Sequence, residues 1–460
     1  GDQHLRLGDG MILLQSIVGF IRTGPVSCQT TQPSSPLVLS CDAQPEIDIS
    51  RFWNLEEIGT VTTSSSDTQV LDQFRQSVSV DCGRYVVSWP WRPGRPELPE
   101  NYHLAFGRLR SLMHKLQGKP DVLQAYNKVL ADQLTAGVIE DIPVDKPKCF
   151  AIRHYLPHHC VVKSGHTTTK LRVVYDASAR ASTSAPSLNE CLYPGPPLLP
   201  DLCGILLRFR TSPVAICSDV EKAFLQLSLQ ESDRDVTRFL WLHDTTKPVV
   251  TDNIRVFRFT RVPFGIVSSP FLLAATLDHH LRQDGSADAM QTLRNTYVDN
   301  VLIGKDSVAD GITYYRSAKQ LFTEAGMNLR EWSSNSSAFL DSVDPSDRAT
   351  ATTQKCLGLL WNPAADTLAI SPVSVSELVV QTKRHVLQAV SRCFDPLGIV
   401  SPVIVSSKVL LQDIWKLNLG WDDQLPTDIL CRWSCQAQEL DSLGNIAFPR
   451  FIGPLPQSTT

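Results

Sequence analysis

The chain has 460 residues, of which 42% are hydrophobic and 20% charged, and its formal net charge is −4. That length predicts roughly two to four domains or subdomains, and the slightly acidic balance excludes indiscriminate adhesion to nucleic acid. Twelve cysteines without the paired spacing of a zinc ribbon indicate reduced thiols in an intracellular protein. No secretory signal is recognisable, and the apolar run at 11–21 is too short to span a bilayer.

The first part of the chain gives weak structural signals. Residues 1–25 read as strand material that starts in mid-pattern. Residues 27–66 are rich in Ser, Thr, Gln and Pro, which predicts a linker, interrupted by a more structured stretch at 51–59. Packed structure is expected to begin near 83–91, where large apolar residues alternate with other residues.

Two helices and two strands are predicted next. Leucines at helical spacing predict a helix from Tyr102 to Leu116, and a second helix opens at Pro120 and closes at Gly137. Strands are expected at 154–163 and 169–178. From Asn101 to Tyr175 there are eleven Lys or Arg against five Asp or Glu, and this excess of positive charge favours a surface that faces a polyanion.

The middle of the chain reads strand, helix, strand, strand, helix, hairpin. An apolar strand ends at Asp219, and strands rich in aromatic and β-branched residues are predicted at 237–242 and 254–261. A hairpin at 295–304 places Asp299 and Asn300 at its turn. Antiparallel strands with helices grouped on one face define an α+β fold.

Helices flank this hairpin and dominate the last part of the chain. One is predicted from Ser269 to about Leu281 and another from 306–307 to Gly326. Residues 372–418 are expected to be mainly helical, interrupted at 394–402, and residues 446–460 resemble a linker.

Two isolated acids, Asp219 and Asp299, raise the question of a metal site. Asp219 follows a buried apolar run, and an unpaired buried charge is costly, so it calls for a partner such as a divalent cation. Magnesium prefers a few carboxylates plus substrate phosphates, and two-metal sites stabilise the attacking and leaving oxygens of phosphoryl transfer. Acids at strand ends and in turns also have purely structural roles, so the pair by itself leaves both interpretations open.

The order of motifs around these acids is more specific. Asp219 with Phe224, then "FTRVPFGIVSSP" at 259–270, then "YVDN" at 297–300 resembles the palm of a reverse transcriptase. Further blocks, from "FWNLEEIG" at 52–59 to "FDPLGIVSPVIV" at 394–405, resemble the Pol polyprotein of BEL/Pao long-terminal-repeat retrotransposons. The resemblance implies a right-hand polymerase with fingers, palm and helical thumb or connection, in which Asp219, Asp299 and the carbonyl of Val220 bind two catalytic Mg²⁺ ions.

The resemblance also assigns residues to the incoming nucleotide. Arg172 matches the fingers arginine that holds the triphosphate, with Lys170 beside it, and the planar guanidinium makes Arg172 the stronger candidate. Phe224 matches the aromatic residue that excludes a 2′-hydroxyl, and Phe264 and Gly265 match the segment that contacts the nascent base pair. The structural alternatives are core packing for Phe224, an exposed strand charge for Lys170, and a simple turn at Phe264 and Gly265.

The sequence departs from this family pattern at two positions. Asn300 stands where reverse transcriptases generally carry a second hairpin acid; an amide keeps an oxygen ligand but removes one negative charge, which is expected to weaken Mg²⁺ affinity. Glu331 stands where the family more often has Lys, a basic position that assists pyrophosphate departure, and Arg330 is a candidate substitute.

The domain organisation implied by the resemblance divides the chain into five parts. No Asp-Ser/Thr-Gly signature of a retroviral-type aspartic peptidase occurs, and the chain is expected to end before any RNase H or integrase module could fit. The parts are the tail of such a peptidase at 1–25, a linker and pre-polymerase segment at 26–94, reverse transcriptase fingers and palm at 95–360, thumb and connection helices at 361–445, and a C-terminal linker at 446–460.

The function implied is an RNA-directed DNA polymerase that uses an RNA or DNA template with primer, deoxynucleoside triphosphates and two Mg²⁺ ions. Its expected place is a cytoplasmic retrotransposon particle, without membrane contact. The alternative is a catalytically inactive mobile-element remnant that at most binds nucleic acid, which Asn300 favours. A zinc site at His158, His159 and Cys160 with His166 is disfavoured, because no second cluster at ligand spacing follows.

Overall fold

The computed structural model describes residues 65–95, 97–142, 152–163, 170–371, 375 and 380–453, and the backbone of three strands within residues 4–23. The predicted structured stretch at 51–59 and most of the predicted linker at 27–66 lie outside the described residues. The chain divides into two compact units, residues 1–60 and 61–460.

The first unit contains a three-stranded antiparallel sheet. Its strands are β1 (His4–Arg6), β2 (Ile12–Ser16) and β3 (Gly19–Thr23), in that order. The strand material predicted at 1–25 is confirmed, while its assignment to the tail of an aspartic peptidase stays a prediction.

The second unit mixes helices and strands. Its helices are α1 (Ser65–Ser77), α2 (Tyr102–Leu116), α3 (Pro120–Thr135), α4 (Leu188–Cys191), α5 (Leu202–Thr211), α6 (Glu231–Arg234), α7 (Ser269–Asp284), α8 (Ala287–Arg294), α9 (Val308–Glu324), α10 (Ser337–Asp341), α11 (Lys383–Val390), α12 (Ser401–Lys416) and α13 (Thr427–Ser442). Its strands are β4 (Ser79–Asp81), β5 (Arg84–Val87), β6 (Ile139–Ile142), β7 (His158–Lys163), β8 (Lys170–Tyr175), β9 (Val214–Val220), β10 (Ser228–Leu229), β11 (Arg238–Leu242), β12 (Ile254–Phe259), β13 (Thr296–Tyr297), β14 (Asn300–Lys305), β15 (Leu329–Ser334), β16 (Gln354–Cys356), β17 (Leu359–Asn362), β18 (Thr367–Ile370) and β19 (Ala447–Pro449).

A four-stranded antiparallel sheet of order β13-β14-β9-β15 lies at the centre of this unit. Because side chains alternate along a strand, β9 contributes Ile216 to the core formed with α7–α9, and Cys217 to a second core on the other face. The expected α+β fold is confirmed, with α7–α9 on one face. The second face carries α5 and a further sheet as well, so helices contact both faces.

The part of the unit before β9 is built from smaller sheets. β6 and β11 flank β12 in one, β7 and β8 pair with each other in antiparallel orientation, and β4 and β10 flank β5 in a third. His158 is buried, and its Nε2 lies 2.8 Å from the carbonyl oxygen of Leu240. Because its other ring nitrogen contacts the Tyr126 hydroxyl, His158 is a core residue; among the described residues no group of three potential metal ligands occurs.

The C-terminal part joins the central sheet through its second core. Helices α11–α13 pack with a sheet of order β16-β17-β18-β19. Arg450, directly after β19, is fully buried and forms a two-point ion pair with Asp366, at 2.6 Å from Nε to Oδ1 and 2.8 Å from Nη2 to Oδ2. The prediction of a linker at 446–460 is therefore wrong for residues 447–450, since β19 completes a sheet; residues 454–460 lie outside the described residues.

Local signals mark the ends of α3 and α9. Pro120 occupies the first turn of α3, and Gly137 follows its end at φ 64°. Ser307 caps α9 by accepting a hydrogen bond from the Asp310 amide at 3.1 Å, and Gly326 follows at φ 69°. Within the described parts of the chain, no helix is long and apolar enough to cross a membrane, and no disulfide joins the described cysteines.

Candidate active site

The hairpin between β13 and β14 places its two polar residues beside Asp219. Asn300 lies directly opposite Asp219 in the antiparallel pairing of β14 with β9. The Val220 amide donates a hydrogen bond to the Asp299 carbonyl oxygen at 2.8 Å, which anchors the turn to the end of β9. Val298 sits at φ 58° in this turn, a conformation that non-glycine residues adopt rarely. The structure thus brings together Asp219, Val220, Asp299 and Asn300.

The neighbouring strand β15 brings charges that the sequence alone could not place. Arg330 lies opposite Asp219 on the other side of β9, with its Nε 4.0 Å from Asp219 Oδ2 and its Nη1 3.5 Å from Glu221 Oε1. The register then shifts in a bulge that contains Glu331 at φ 53°. Among the described residues, Arg330 is the cation that contacts Asp219, while its role at the family's basic position stays a prediction.

Burial and the neighbouring acids together raise the pKa of the Asp219 carboxyl to about 6. Burial is the main cause, because it disfavours the charged form, and the charge of Asp299 is the next. Glu331 and Glu221 act in the same direction, whereas Arg330 opposes them. The site therefore holds more negative charge than its own cation neutralises, which is the electrostatic condition for binding a divalent ion.

We expect the Asp219→Asn substitution to stabilise the protein in the absence of divalent ions at pH 8. The folded-state pKa of Asp219 lies above its ordinary value of 3.8, so the ionised carboxylate disfavours the fold above about pH 6, and this penalty disappears as the pH falls toward 4. Thermal unfolding in EDTA should therefore show a melting temperature a few degrees higher for the variant at pH 8 and no difference at pH 4.

Magnesium should reverse the order of the two melting temperatures. Binding to the folded state stabilises it by mass action, so Mg²⁺ should raise the melting temperature of the unaltered protein more than that of Asp219→Asn. An Asp219→Asn protein that is less stable than the unaltered one in EDTA at pH 8 would contradict the repulsion described above.

Asn300 fits this site as an uncharged polar residue. Its Nδ2 donates a hydrogen bond to Asp299 Oδ1 at 2.9 Å, so the amide partly offsets the negative charge of Asp299. A second hairpin acid would instead add a negative charge. Asp219 and Asp299 supply two carboxylates, which is the set that Mg²⁺ uses together with substrate phosphates. The residues present therefore fit a divalent ion that completes its coordination with substrate and water.

The residues predicted to contact a nucleotide lie on neighbouring segments. Phe224, on a 3₁₀ turn after β9, packs edge-to-face on Phe264 with ring centroids 4.7 Å apart; Phe224 is buried, whereas Phe264 is half exposed. Gly265 has φ 93°, and a Cβ there would lie 2.7 Å from the Tyr175 carbonyl oxygen. This close approach requires glycine, and it holds the loop against the end of β8.

Strand β8 also carries the predicted triphosphate residues. Arg172 is exposed and makes no ion pair or hydrogen bond with the described residues, so its guanidinium is available to an anion. Lys170 begins the strand, opposite Lys163, but its side chain lies outside the described residues. Val220 is buried at the end of β9. The roles of these residues toward metal and nucleotide stay predictions.

Two acids at the end of a central antiparallel sheet, in a unit that mixes helices and strands, form an arrangement that suits template-directed nucleotidyl polymerases. Residues 123–332 match the family model described as reverse transcriptase (RNA-dependent DNA polymerase), and residues 382–460 match the Pao retrotransposon-like RNaseH-like domain. The chain therefore contains a reverse transcriptase domain, followed by a segment similar to a domain of Pao-type retrotransposons.

The second match corrects one expectation from the sequence. Residues 382–460 were expected to hold only connection helices and a linker before any RNase H module, but the matching model is itself described as RNaseH-like. The described part of this segment contains α11–α13 and β19, so the helices themselves are present.

The foamy viral protease-reverse transcriptase dRH, solved in complex with double-stranded DNA, resembles the chain with a TM-score of 0.47 and 13% identity, over 95% of this chain and 69% of that one. No curated protein sequence matches the chain.

Proposed function

We propose that this chain is an active RNA-directed DNA polymerase that extends a primer on an RNA or DNA template with deoxynucleoside triphosphates. The observation that carries the proposal is the convergence of Asp219 and Asp299 at the end of a buried strand, where the charge of Asp299 adds to burial in raising the pKa of Asp219. Two Mg²⁺ ions bound there would stabilise charge on the attacking and leaving oxygens.

The residues around the carboxylates would position the substrates. Arg172 and Lys170 would bind the triphosphate from β8, because a guanidinium offers several donors to phosphate oxygens. Phe224 would exclude a 2′-hydroxyl, and Gly265 would let the backbone approach the nascent base pair. Arg330, held beside Asp219, would neutralise charge that develops on the departing pyrophosphate.

The subdivision of the polymerase is part of this proposal. Fingers and palm would occupy the residues from 95 to before β16, because the expected boundary at 360 would cut through β17. The sheet β16–β19 with α11–α13 would form the part that follows. Template and primer would be held mainly through phosphate contacts, so binding would weaken with salt. The enzyme would act within a cytoplasmic retrotransposon particle.

The decisive experiment is extension of a labelled DNA primer on an RNA template and on a DNA template by the purified chain. We expect extension on both with Mg²⁺ and deoxynucleotides, none in EDTA, and poor extension with ribonucleotides. Binding of the template–primer without extension, over a range of Mg²⁺ and Mn²⁺ concentrations, would contradict the proposal and favour an inactive remnant that only holds nucleic acid.

We expect the Asn300→Asp substitution to increase Mg²⁺ affinity about tenfold, the lower end of the effect that residues around metal ligands have. The new carboxylate would lie opposite Asp219 in the pairing of β14 with β9, where it adds one negative charge. Titration of Mg²⁺ against primer extension and, independently, calorimetry with Mn²⁺ would measure the change.

Asn300→Ser serves as the control for this variant, because it removes the amide without adding charge. An Asn300→Asp protein whose metal affinity equals that of the unaltered chain would show that position 300 does not contribute to the metal site.

A further inference from the structure

Two arginines outside the site described above lie close enough for their charges to interact, and neither is paired with an acid among the described residues. Arg84 begins β5, and its Nη1 donates hydrogen bonds to the carbonyl oxygen and to Oε1 of Gln226, at 3.0 and 2.8 Å. Arg261 follows β12, and its Nη1 donates a hydrogen bond to the Ser228 hydroxyl. We call these two residues the arginine pair.

The strand pairing places the arginine pair on one face. Ser228 pairs with Val86 in parallel and forms an antiparallel bridge with Arg261. Arg84 lies two residues before Val86, and residues two apart on a strand share a face. Arg84 and Arg261 therefore flank the short segment from Gln226 to Ser228 on the same side of the small sheet.

Positive charge is in excess on this face. Within the described residues, neither member of the arginine pair forms an ion pair with a carboxylate. Asp81 lies opposite Arg84 in the pairing of β4 with β5 but forms no ion pair with it. Glu221 is held by Arg330 and Asn328 instead, at 3.5 and 3.2 Å. A third guanidinium, that of Arg234, lies close enough to raise the positive potential.

This arrangement is unfavourable without a bound anion. Burial, together with the charges of Arg84 and Arg234, lowers the pKa of Arg261 to about 10. Arg234 shares its partner Glu140 with Arg258, at 3.4 and 2.6 Å, so this acid does not neutralise the pair. Half-buried guanidiniums with unused donors and no carboxylate are suited to an oxyanion, since forked N–H groups match phosphate geometry.

The position of the arginine pair indicates which kind of phosphate ligand binds there. Gln226 lies two residues after Phe224 and Arg261 lies three residues before Phe264, and these two rings are in contact. The pair is thus on the same loop system as the proposed nucleotide site, but on a different strand from Arg172 and apart from Asp219 and Asp299.

We propose that Arg84 and Arg261 bind a backbone phosphate of the nucleic-acid strand that occupies the polymerase. This inference rests on the proposed function for its nucleic acid, and it adds an anchoring site that the metal and triphosphate residues do not provide. Such a contact fixes the register of the strand without reading its sequence.

The test is the salt dependence of template–primer affinity for the full chain. Each neutralised phosphate contributes a slope of roughly 0.7 to 0.9 to a plot of log affinity against log salt concentration. We expect Arg84→Gln with Arg261→Gln to weaken binding at least tenfold at low salt, equally for unrelated sequences, and to reduce the slope by about one. Arg84→Lys with Arg261→Lys should retain most of the slope.

A matched control is Arg282→Gln, which removes an exposed arginine that is paired with Asp278 at 2.7 Å. We expect it to leave both affinity and slope unchanged. Thermal unfolding separates binding from structure: removal of like charges should leave the melting temperature of the glutamine double variant equal or higher, whereas a structural role would lower it.

The outcomes are distinguishable. If the unaltered chain binds template–primer and the glutamine double variant keeps the same slope, the arginine pair is not a phosphate site, and the polymerase proposal is untouched. If inorganic phosphate or pyrophosphate raises the melting temperature only when the pair is intact, but the slope does not change, the site takes a free anion and the inference is overturned. If the unaltered chain binds no nucleic acid, both proposals fail.

Discussion

The Asp219→Asn variant is expected to lose primer extension by at least about a hundredfold while it still binds template and primer. Changes around metal ligands already cost 10- to 100-fold, and Asp219 is itself a proposed ligand at the end of β9. The loss should appear in the maximal rate at saturating nucleotide, because an isosteric amide leaves the strand pairing intact but removes the charge that binds the ions. Single-turnover extension by rapid quench, beside filter binding of the duplex, measures both properties.

Asp288→Asn is the matched control for this variant. Asp288 is also a partly buried acid beside the central sheet, paired with Lys305 at 3.0 Å, but Lys305 ends β14, about 16 Å along the strand from Asn300. We expect full extension by this control. Equal loss in both variants would indicate a general effect on the fold, and full activity of Asp219→Asn would remove Asp219 from the metal site.

The Asp366→Ala variant is expected to lower the free energy of unfolding by about 3–5 kcal/mol, because removal of one partner leaves the other as a buried, uncompensated charge. Arg450 has no exposed surface. Its Nη1 also donates to the carbonyl oxygens of Phe209 and Ser212 at 2.6 and 2.8 Å, so the guanidinium cannot turn to solvent without breaking contacts with α5. Urea unfolding followed by tryptophan fluorescence would report the change, since Trp361 donates a hydrogen bond to Asp366 at 3.1 Å.

Asp422→Ala provides the comparison on the surface. Asp422 also pairs with an arginine at two points, with Arg384 at 2.8 and 3.0 Å, but both side chains are exposed. Exposed pairs contribute less than about 1 kcal/mol, so this variant should unfold almost as the unaltered chain does. A similar, small effect of Asp366→Ala would mean that the burial of Arg450 does not govern stability.

The sequence predicts elements well where local signals agree. The helix from Tyr102 to Leu116 is found at the predicted bounds, and the helix opened by Pro120 ends close to Gly137. The helix from Ser65 to Ser77 was missed, because the predicted linker extends to residue 66 and no element was predicted between there and residue 83. Val70 and Phe74, one helical turn apart and both buried, were the signal that could have revealed it.

The candidate site, too, is only partly predictable from the sequence. The order of motifs identifies Asp219 and Asp299 as partners, since turn chemistry and strand patterns are local. The positions of Arg330 and Glu331 depend on the pairing of β15 with β9 and on a bulge in that pairing, which no local pattern specifies. The arginine pair is likewise invisible in sequence, because Arg84 and Arg261 meet only through strands that are distant along the chain.

The sheet formed by β16–β19 bears on how this chain can be divided. A truncation at residue 381, suggested by the boundary between the two matching family models, would remove β19 and α11–α13. It would uncover Leu368 and Ile370, which are now buried, and turn β18 into an exposed edge strand. Such edges template aggregation, so the shortened polymerase would precipitate, whereas a chain nicked near that boundary would stay assembled.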